Sequence, residues 1–240
     1  MNLKSTFIGL AVGLLIFLSI PNSIFSFYTK GSGNVIKEIR KVETFNKIEA
    51  GGAFDIVIVK GDNQSLVIKT DDNIMSKITT KVSGGELRIS TKGNINNATT
   101  MKVFITMKEL KGIDLSGACS LVSESRFEND KMEIEMSGAA NSELKISCKN
   151  LDIEISGAAT TNLSGYATEL KAEVSGAGNL KAYDLELQTA NIDCSGAATT
   201  KIFVTKSLKA EASGASNVYY KGNPKQVSVN TSGAGSIKRK

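Results

Sequence analysis

Residues 153–160 have the sequence Ile-Glu-Ile-Ser-Gly-Ala-Ala-Thr, and this stretch decides the fold because the chain repeats it. The Ser-Gly-Ala triplet occurs seven times, at steps of 18 to 21 residues. Its serines are Ser116, Ser137, Ser156, Ser175, Ser195, Ser213 and Ser232. Such spacing is typical of a repeat architecture, in which each unit stacks on its neighbours because it cannot bury its apolar face alone.

The residues before each triplet alternate between apolar and polar. Ile153 and Ile155, for example, flank Glu154. A period of two predicts a strand with one buried and one exposed face. We expect the middle positions to form a ladder on one face, one residue per coil and about 5 Å apart. The acidic members of this ladder are Asp114, Glu135, Glu154, Glu173, Asp193 and Glu211.

The central glycine of each triplet is expected to form the corner of a coil. Glycine adopts positive φ and permits close approach of neighbouring backbones with the least strain. These structural turn glycines are Gly117, Gly138, Gly157, Gly176, Gly196, Gly214 and Gly233. The sequence therefore predicts an all-β protein, a parallel β-solenoid or β-helix with coils of about 19 residues.

The chain before the repeats divides into three parts. Residues 1–26 are typical of a signal peptide, since Lys4 precedes an apolar run at 7–20 that is shorter than the roughly 20 residues of a membrane span. An uncleaved N-terminal anchor is the alternative. Residues 27–44 are predicted to be a tether, and residues 45–110 an N-terminal β region that caps and starts the stack. Residues 111–240 form the repeat solenoid.

Several segments resemble one bacterial family. They are Phe-Asn-Lys-Ile at 45–48, Gly-Gly-Ala-Phe-Asp-Ile-Val-Ile-Val-Lys-Gly-Asp at 51–62, Gly-Glu-Leu-Arg-Ile at 85–89 and the serial triplets. Together they resemble the putative auto-transporter adhesin, head GIN domain family over about residues 45–235. The resemblance implies a β-helix-like fold on exported, adhesive proteins of Bacteroidetes-like bacteria, and it brings no catalytic residues to this chain.

The composition argues against an enzyme. The chain has no histidine, which removes the commonest general base and metal ligand. The triplet serines have no base beside them, and equivalent carboxylates do not supply the two distinct environments that glycoside hydrolysis needs. We therefore expect no catalytic residue, no metal site and no cofactor. A net charge of +5, spread among acidic residues, also argues against nucleic acid as a partner.

The acidic ladder is the main candidate binding surface. Neighbouring carboxylates about 5 Å apart repel by roughly 0.9 kcal/mol in water, so the ladder requires counter-charge. Lys171 and Lys209 are expected to supply part of it, and calcium or a basic partner the rest. The alternative is a solvated face that only prevents aggregation of the sheet.

Two further sets of residues carry expectations. Cys119 and Cys194 occupy slots that apolar or small residues fill elsewhere, which predicts buried thiols, and Cys148 is expected to be the most reactive thiol. A polar column after the triplets is expected to form a stacked hydrogen-bonding ladder. Its members are Asn141, Thr160, Asn179, Thr199 and Asn217.

The sequence favours an exported binding or structural module, acting as an adhesin in the periplasm, on the outer surface or after secretion. Its expected partners are polysaccharide, peptidoglycan or another surface protein, with membrane contact only through an uncleaved N-terminal segment. An envelope-anchored sensing or regulatory domain that binds a protein is the alternative. A carbohydrate-active enzyme is less favoured.

Overall fold

The computed structural model describes residues 28–240 and is nearly all β. The signal peptide and anchor expected at 1–26 lie outside the described residues. No helix in the 28–240 range has the length and apolar character that a membrane crossing requires.

The elements, in chain order, are β1 Tyr28–Lys30, β2 Val35–Ile39, β3 Lys47–Gly52, β4 Asp55–Lys60, β5 Ser65–Asp71, α1 Asp72–Met75, β6 Ile78–Ser83, β7 Glu86–Thr91, β8 Asn94–Asn96, β9 Met101–Met107, β10 Gly112–Gly117, β11 Ser120–Met136, β12 Asn141–Ile155, β13 Thr160–Val174, β14 Asn179–Cys194, β15 Thr199–Ala212, β16 Asn217–Lys221, β17 Gln226–Thr231 and β18 Ser236–Arg239.

The predicted solenoid is confirmed. Each of the five long strands, β11 to β15, runs from one triplet to the next and pairs in parallel with the strands before and after it. Their inward side chains form apolar columns along the stack. One column contains Ile48, Ile113, Ile134, Ile153, Ala172, Ile192, Ala210 and Val229. The core is therefore a continuous stack of aliphatic side chains, closed at each level by one coil.

The turn glycines bring successive coils into backbone contact. Gly157 has a φ of +67°. The N–H of Ala158 donates a hydrogen bond of 2.7 Å to the Gly138 carbonyl of the coil before it. A Cβ on Gly157 would lie 2.6 Å from that same oxygen. All seven turn glycines have φ between +65° and +73°. Glycine is thus required at each corner for two reasons: the backbone has a positive φ, and a Cβ would clash with the coil before it.

Replacing one turn glycine tests this requirement. We expect Gly157→Ala to lower the free energy of unfolding by about 1–3 kcal/mol, because alanine is strained at positive φ. The melting temperature should fall by roughly 5 °C in a chain of this size. Ala158→Ser, at the exposed neighbouring position of the same turn, is the control and should leave thermal unfolding unchanged. Equal melting temperatures for both variants would show that the corner tolerates a side chain.

The N-terminal end of the stack is closed by extra strands. β3 and β4 form the first coil, paired in parallel with β10 and β11. β7 pairs in parallel with β3, and β6 turns back antiparallel on β7. On the other side, β9 pairs with β4, β5 lies antiparallel on β9, and β2 lies antiparallel on β5. The apolar side chains of the first coil are therefore covered.

The range 27–44 is expected as a tether, but its described residues, 28–44, contain two paired strands. β1 pairs with β8 and β2 pairs with β5. The segment between them is held by Asp71, which is fully buried. Its carboxylate accepts hydrogen bonds from the Gly33 N–H (2.7 Å) and from the Thr99 N–H and Oγ1 (both 2.8 Å). These contacts join residues that are far apart in sequence, so the composition of the segment alone does not show them.

The Asp71 contacts also predict a pH dependence. Burial acts to raise the pKa of Asp71, but the hydrogen bonds from Thr99 and Gly33 outweigh it and hold the pKa below its ordinary value. A lowered folded-state pKa means that this carboxylate stabilises the fold at neutral pH and that the contribution is lost as the pH falls through the folded-state value. Asp71→Asn should therefore unfold at lower denaturant concentration than wild type at pH 7, and the two curves should converge in acid. Faster amide exchange at Gly33 and Thr99, with unchanged exchange in β13, would place the effect locally.

The C-terminal end is covered less completely. β17 and β18 form the last coil, and all six residues of β17 are exposed. Tyr220 and Ile237 pack partly against the core, whereas Val227 and Val229 remain 46% and 49% exposed. The two ends of the solenoid therefore differ.

Candidate acidic binding face

The six carboxylates of the ladder lie side by side on one outer surface. Parallel pairing places Asp114, Glu135, Glu154, Glu173, Asp193 and Glu211 in consecutive register, one per coil. All six are exposed. The column continues with Glu49 at the N-terminal end and Asn230 at the C-terminal end. We call this surface, with the parallel column of residues two positions earlier in each strand, the acidic face.

Lysines pair with two of the three carboxylates in the C-terminal half of the ladder, Glu173 and Glu211. The Lys171 Nζ lies 2.9 Å from the Glu173 Oε1, and the Lys209 Nζ lies 3.4 Å from the Glu211 Oε1. Both pairs join residues two positions apart on one strand, where side chains share a face. The expectation that Lys171 and Lys209 supply counter-charge is confirmed.

The N-terminal end has its own basic residues. The Arg88 Nε lies 2.8 Å from the Glu49 Oε2, since β7 pairs with β3 and continues the column. Glu133 is contacted from two directions, by Lys47 at 2.6 Å and by Lys131 at 2.9 Å. Hydrogen bonds from these lysines lower the pKa of Glu133. Basic side chains at this end therefore contact Glu49 and Glu133, although Arg88 is shared with Glu86, which it contacts at 3.0 Å.

The middle of the acidic face is uncompensated. Within residues 28–240, the ion pairs of up to 4.0 Å include none of the ladder residues Asp114, Glu135, Glu154 and Asp193. Burial, followed by the charge of Glu86, raises the pKa of Asp114. Burial, followed by the charges of Asp114 and Glu154, raises the pKa of Glu135. Asp114, Glu135 and Glu154 thus form an uninterrupted row of unpaired carboxylates, whereas Asp193 lies between the paired Glu173 and Glu211.

Shallow grooves run beside this central row. One groove of about 260 Å³ lies between Glu135, Glu154 and Lys171. A second, of about 200 Å³, lies at Gly112, which has no side chain in the column between Lys47 and Glu133. Both grooves are open to solvent, so they suit an extended ligand lying along or across the coils better than an enclosed small molecule.

The described residues contain no group of three or more histidine, cysteine or acidic side chains that converge as metal ligands. The ladder explains why: each strand contributes one outward carboxylate, and neighbouring strands lie about 4.8 Å apart. A calcium ion takes six to eight oxygen ligands. Calcium binding at the acidic face stays a prediction.

Two sequence-based expectations about other residues are wrong. Cys148 was expected to be the most reactive thiol, but it points into the core, and burial raises its pKa to about 11. It continues the inward alternation of Leu144 and Ile146 in β12. The polar column also differs from expectation. The Asn179 Nδ2 donates to the carbonyl of Ala177, two residues earlier in its own turn (3.0 Å), and not across coils.

Sequence reasoning missed several members of the acidic face, and Glu49 and Arg88 illustrate why. Glu49 could have been found, because it stands between Ile48 and Ala50 just before a Gly-Gly-Ala triplet and so repeats the pattern of the later coils. Arg88 had no such signal. It enters the column because β7 returns to pair with β3, which is a contact between segments outside the repeat.

The fold and the face define the class of protein: a β-solenoid that presents like side chains at regular intervals along its flank. The model of the putative auto-transporter adhesin, head GIN domain family matches residues 44–224, and the chain belongs to this family. The predicted resemblance is therefore confirmed. Among curated proteins, the chain has no match.

Solved structures share the fold. A putative adhesin from Bacteroides fragilis NCTC 9343 is 28% identical, with a TM-score of 0.84 over 88% of this chain and 100% of that one. A putative lipid binding protein from Parabacteroides distasonis ATCC 8503 is 23% identical, with a TM-score of 0.75 over 89% and 100%. A putative adhesin from Parabacteroides merdae ATCC 43184 is 22% identical, with a TM-score of 0.71 over 89% and 99%.

The uncompensated charge predicts that one neutral substitution stabilises the fold. Because the pKa of Glu135 is raised in the folded protein, ionisation of this carboxyl destabilises the fold. Stability therefore falls as the pH rises through the folded-state pKa. Glu135→Gln should therefore unfold at higher temperature than wild type at pH 7, by an amount that corresponds to about 0.2–1 kcal/mol for a pair of like charges on adjacent strands. The gain should vanish in acid. Glu173→Gln, which removes the partner of Lys171, is the control and should give no gain.

Proposed function

We propose that this protein is an exported, non-catalytic binding module of the cell surface or envelope, and that the acidic face contacts its partner. The observation that carries the proposal is the row of Asp114, Glu135 and Glu154, which has no ion-pair partner although Glu49, Glu173 and Glu211 of the same column are paired with arginine or lysine. A partner with positive groups would lower the repulsion within this row.

The geometry favours a repetitive partner. Carboxylates at intervals of about 4.8 Å offer many weak contacts along one line. When several such contacts form on one molecule, each additional contact is intramolecular and adds to the avidity. Suitable partners carry repeated amino or basic groups: an amine-bearing polysaccharide, peptidoglycan or a basic surface of another envelope protein.

Three observations support a binding role over catalysis. The members of the ladder occupy equivalent positions on equivalent strands. The grooves beside them are open and shallow. The family and two of the three similar structures are described as putative adhesins. Export to the surface agrees with the signal peptide predicted at residues 1–26 and with the family.

A charge-neutralised variant tests the acidic face. Its six substitutions are Asp114→Asn, Glu135→Gln, Glu154→Gln, Glu173→Gln, Asp193→Asn and Glu211→Gln. The matched control changes six exposed carboxylates elsewhere: Glu124→Gln, Glu128→Gln, Asp130→Asn, Glu143→Gln, Asp184→Asn and Glu186→Gln. Both variants change the net charge equally, so a difference between them reports position.

Binding is measured by pull-down on purified peptidoglycan, on envelopes of the producing cells and on polylysine-coated beads as a cationic probe. We expect the ladder variant to lose at least about tenfold in affinity, or 1.4 kcal/mol, and the control to keep its affinity. Wild-type binding should weaken with added salt, because exposed charges are screened. Repeating the measurement with a calcium chelator separates direct contact from a calcium bridge. Equal binding by the ladder variant and wild type would contradict the proposal and would show that the acidic face serves only solubility.

A further inference from the structure

The outer surface at the N-terminal end of the stack carries an exposed apolar row. In five neighbouring strands, one outward position holds an apolar side chain, and strand pairing aligns these positions side by side. In spatial order the row consists of Ile39 of β2, Val67 of β5, Phe104 of β9, Val57 of β4 and Val122 of β11. Ile39 is 74% exposed, Phe104 37% and Val122 39%. At about 4.8 Å per strand, the row is roughly 19 Å long.

The apolar character of this row is not a property of the repeat. Strand pairing continues the same outward column from Val122 into the following coils, where the side chains are polar or charged. These residues are Glu143, Asn162, Lys181 and Lys201. The column is therefore an ordinary solvated one in the later coils. A contiguous exposed apolar patch at one end of it is typical of a surface that contacts a protein or a membrane.

A row of lysines runs beside the apolar row. Lys37, Lys69 and Lys102 are in consecutive register on β2, β5 and β9. Each lies two positions from the apolar-row residue of its own strand, so the two rows share one face and are about 7 Å apart. Among residues 28–240, none of the ion pairs of up to 4.0 Å includes these lysines. Asp55, which follows Lys102 in the column, accepts a hydrogen bond from the Ser120 hydroxyl at 3.0 Å.

The chain enters the fold along the lysine side of this surface. Asp71 lies two positions beyond Lys69 on β5 and is fully buried under residues 31–33. Its Oδ1 accepts the Gly33 N–H at 2.7 Å, and a Cβ on Gly31 would lie 2.8 Å from its carboxylate. The segment that connects residues 1–27 to the fold therefore borders the lysine row. An N-terminal anchor, the alternative predicted for residues 1–26, would hold this same surface close to a bilayer.

We propose that the apolar row and the lysine row, which together we call the amphipathic patch, dock on the surface of a bilayer that contains anionic lipids. The apolar side chains enter the boundary between headgroups and acyl chains. The lysines, whose long stems carry the ammonium groups outward, contact the lipid phosphates beside them. Each basic residue close to an anionic membrane strengthens binding by roughly fivefold, so the three lysines and the apolar row act together.

Charge and polarity together favour a lipid surface over a second copy of this chain. The acidic face of a second copy would satisfy the lysines, but its columns carry charged and polar side chains, so the apolar row would stay in water. An anionic bilayer offers partners to both rows. The acidic face lies on the strand segments before the glycine corners, and the amphipathic patch extends the segments after them. Docking on lipid therefore leaves the acidic face free.

A tryptophan probe tests the contact directly, since the chain has no tryptophan of its own. Phe104→Trp, in the full chain, is mixed with vesicles of phosphatidylglycerol and phosphatidylcholine whose acyl chains are brominated. It should lose most of its emission, because such lipids quench only a tryptophan that reaches the acyl chains. Phe203→Trp, at a half-buried outward position of β15 outside the patch, is the matched control and should keep its emission. The readout reports contact by the patch even if residues 7–20 insert into the vesicle.

Exchange of the lysines tests the charge, in the Phe104→Trp background and with the same quenching as readout. The patch variant carries Lys37→Gln, Lys69→Gln and Lys102→Gln, and its affinity for the anionic vesicles should fall at least about tenfold with unchanged circular dichroism. The control changes three exposed lysines elsewhere, Lys145→Gln, Lys181→Gln and Lys206→Gln, and should keep its affinity. Both variants change the net charge equally, so a difference between them reports position.

The amphipathic patch and the acidic face can fail separately. The charge-neutralised acidic-face variant should bind the vesicles as wild type does, and the patch variant should bind polylysine-coated beads as wild type does. Equal affinities of the two lysine variants would overturn the proposal. Emission of Phe104→Trp that brominated anionic lipid leaves unchanged would also overturn it, and an acidic protein segment would then be the alternative occupant.

Discussion

The contact between stacked glycine corners sets the geometry of the whole molecule. At each level, the carbonyl of a turn glycine accepts a hydrogen bond from the alanine N–H of the next turn, at 2.7–2.8 Å in all seven cases. The approach is possible because the glycine above has no Cβ, which would otherwise lie 2.5–3.0 Å from the carbonyl below. Each corner therefore fixes the register of the coil that follows it, and the strands between corners pair in that same register.

Fixed register has one consequence inside the solenoid and another outside it. Inside, it aligns aliphatic residues such as Ile134 and Ile153 into continuous columns, which provide the burial that holds the stack together. Outside, the same alignment brings Glu135 and Glu154 side by side, where they repel. The protein pairs Glu49, Glu173 and Glu211 of the same column with arginine or lysine and leaves the row from Asp114 to Glu154 unpaired. This unpaired row is the part of the surface on which the proposed function depends.

The repeated part of the fold was predictable from the sequence, because residues one repeat apart occupy equivalent positions in neighbouring coils. Once seven triplets are aligned, the inward columns and the ladder from Asp114 to Glu211 follow without further data. The ends were not predictable in this way. Strands β1 and β2 depend on contacts between residues such as Gly33 and Asp71, which no periodicity relates. Arg88 joins the acidic face for the same reason. The error at Cys148 had a different origin, since this residue continues an alternation of Leu144 and Ile146 that the sequence itself contains.

The long strands behave as interchangeable modules, and this shapes how such a protein can change over generations. β12, β13 and β14 contact chiefly the strands directly before and after them, and each ends in the same corner. An in-frame duplication of one 19-residue module would find matching glycines above and below, so the new level would fit between existing ones without altering either terminus. Recombination within the gene could therefore lengthen the flank one carboxylate at a time. Length, and with it the number of simultaneous contacts, is a property that this architecture can adjust in whole steps.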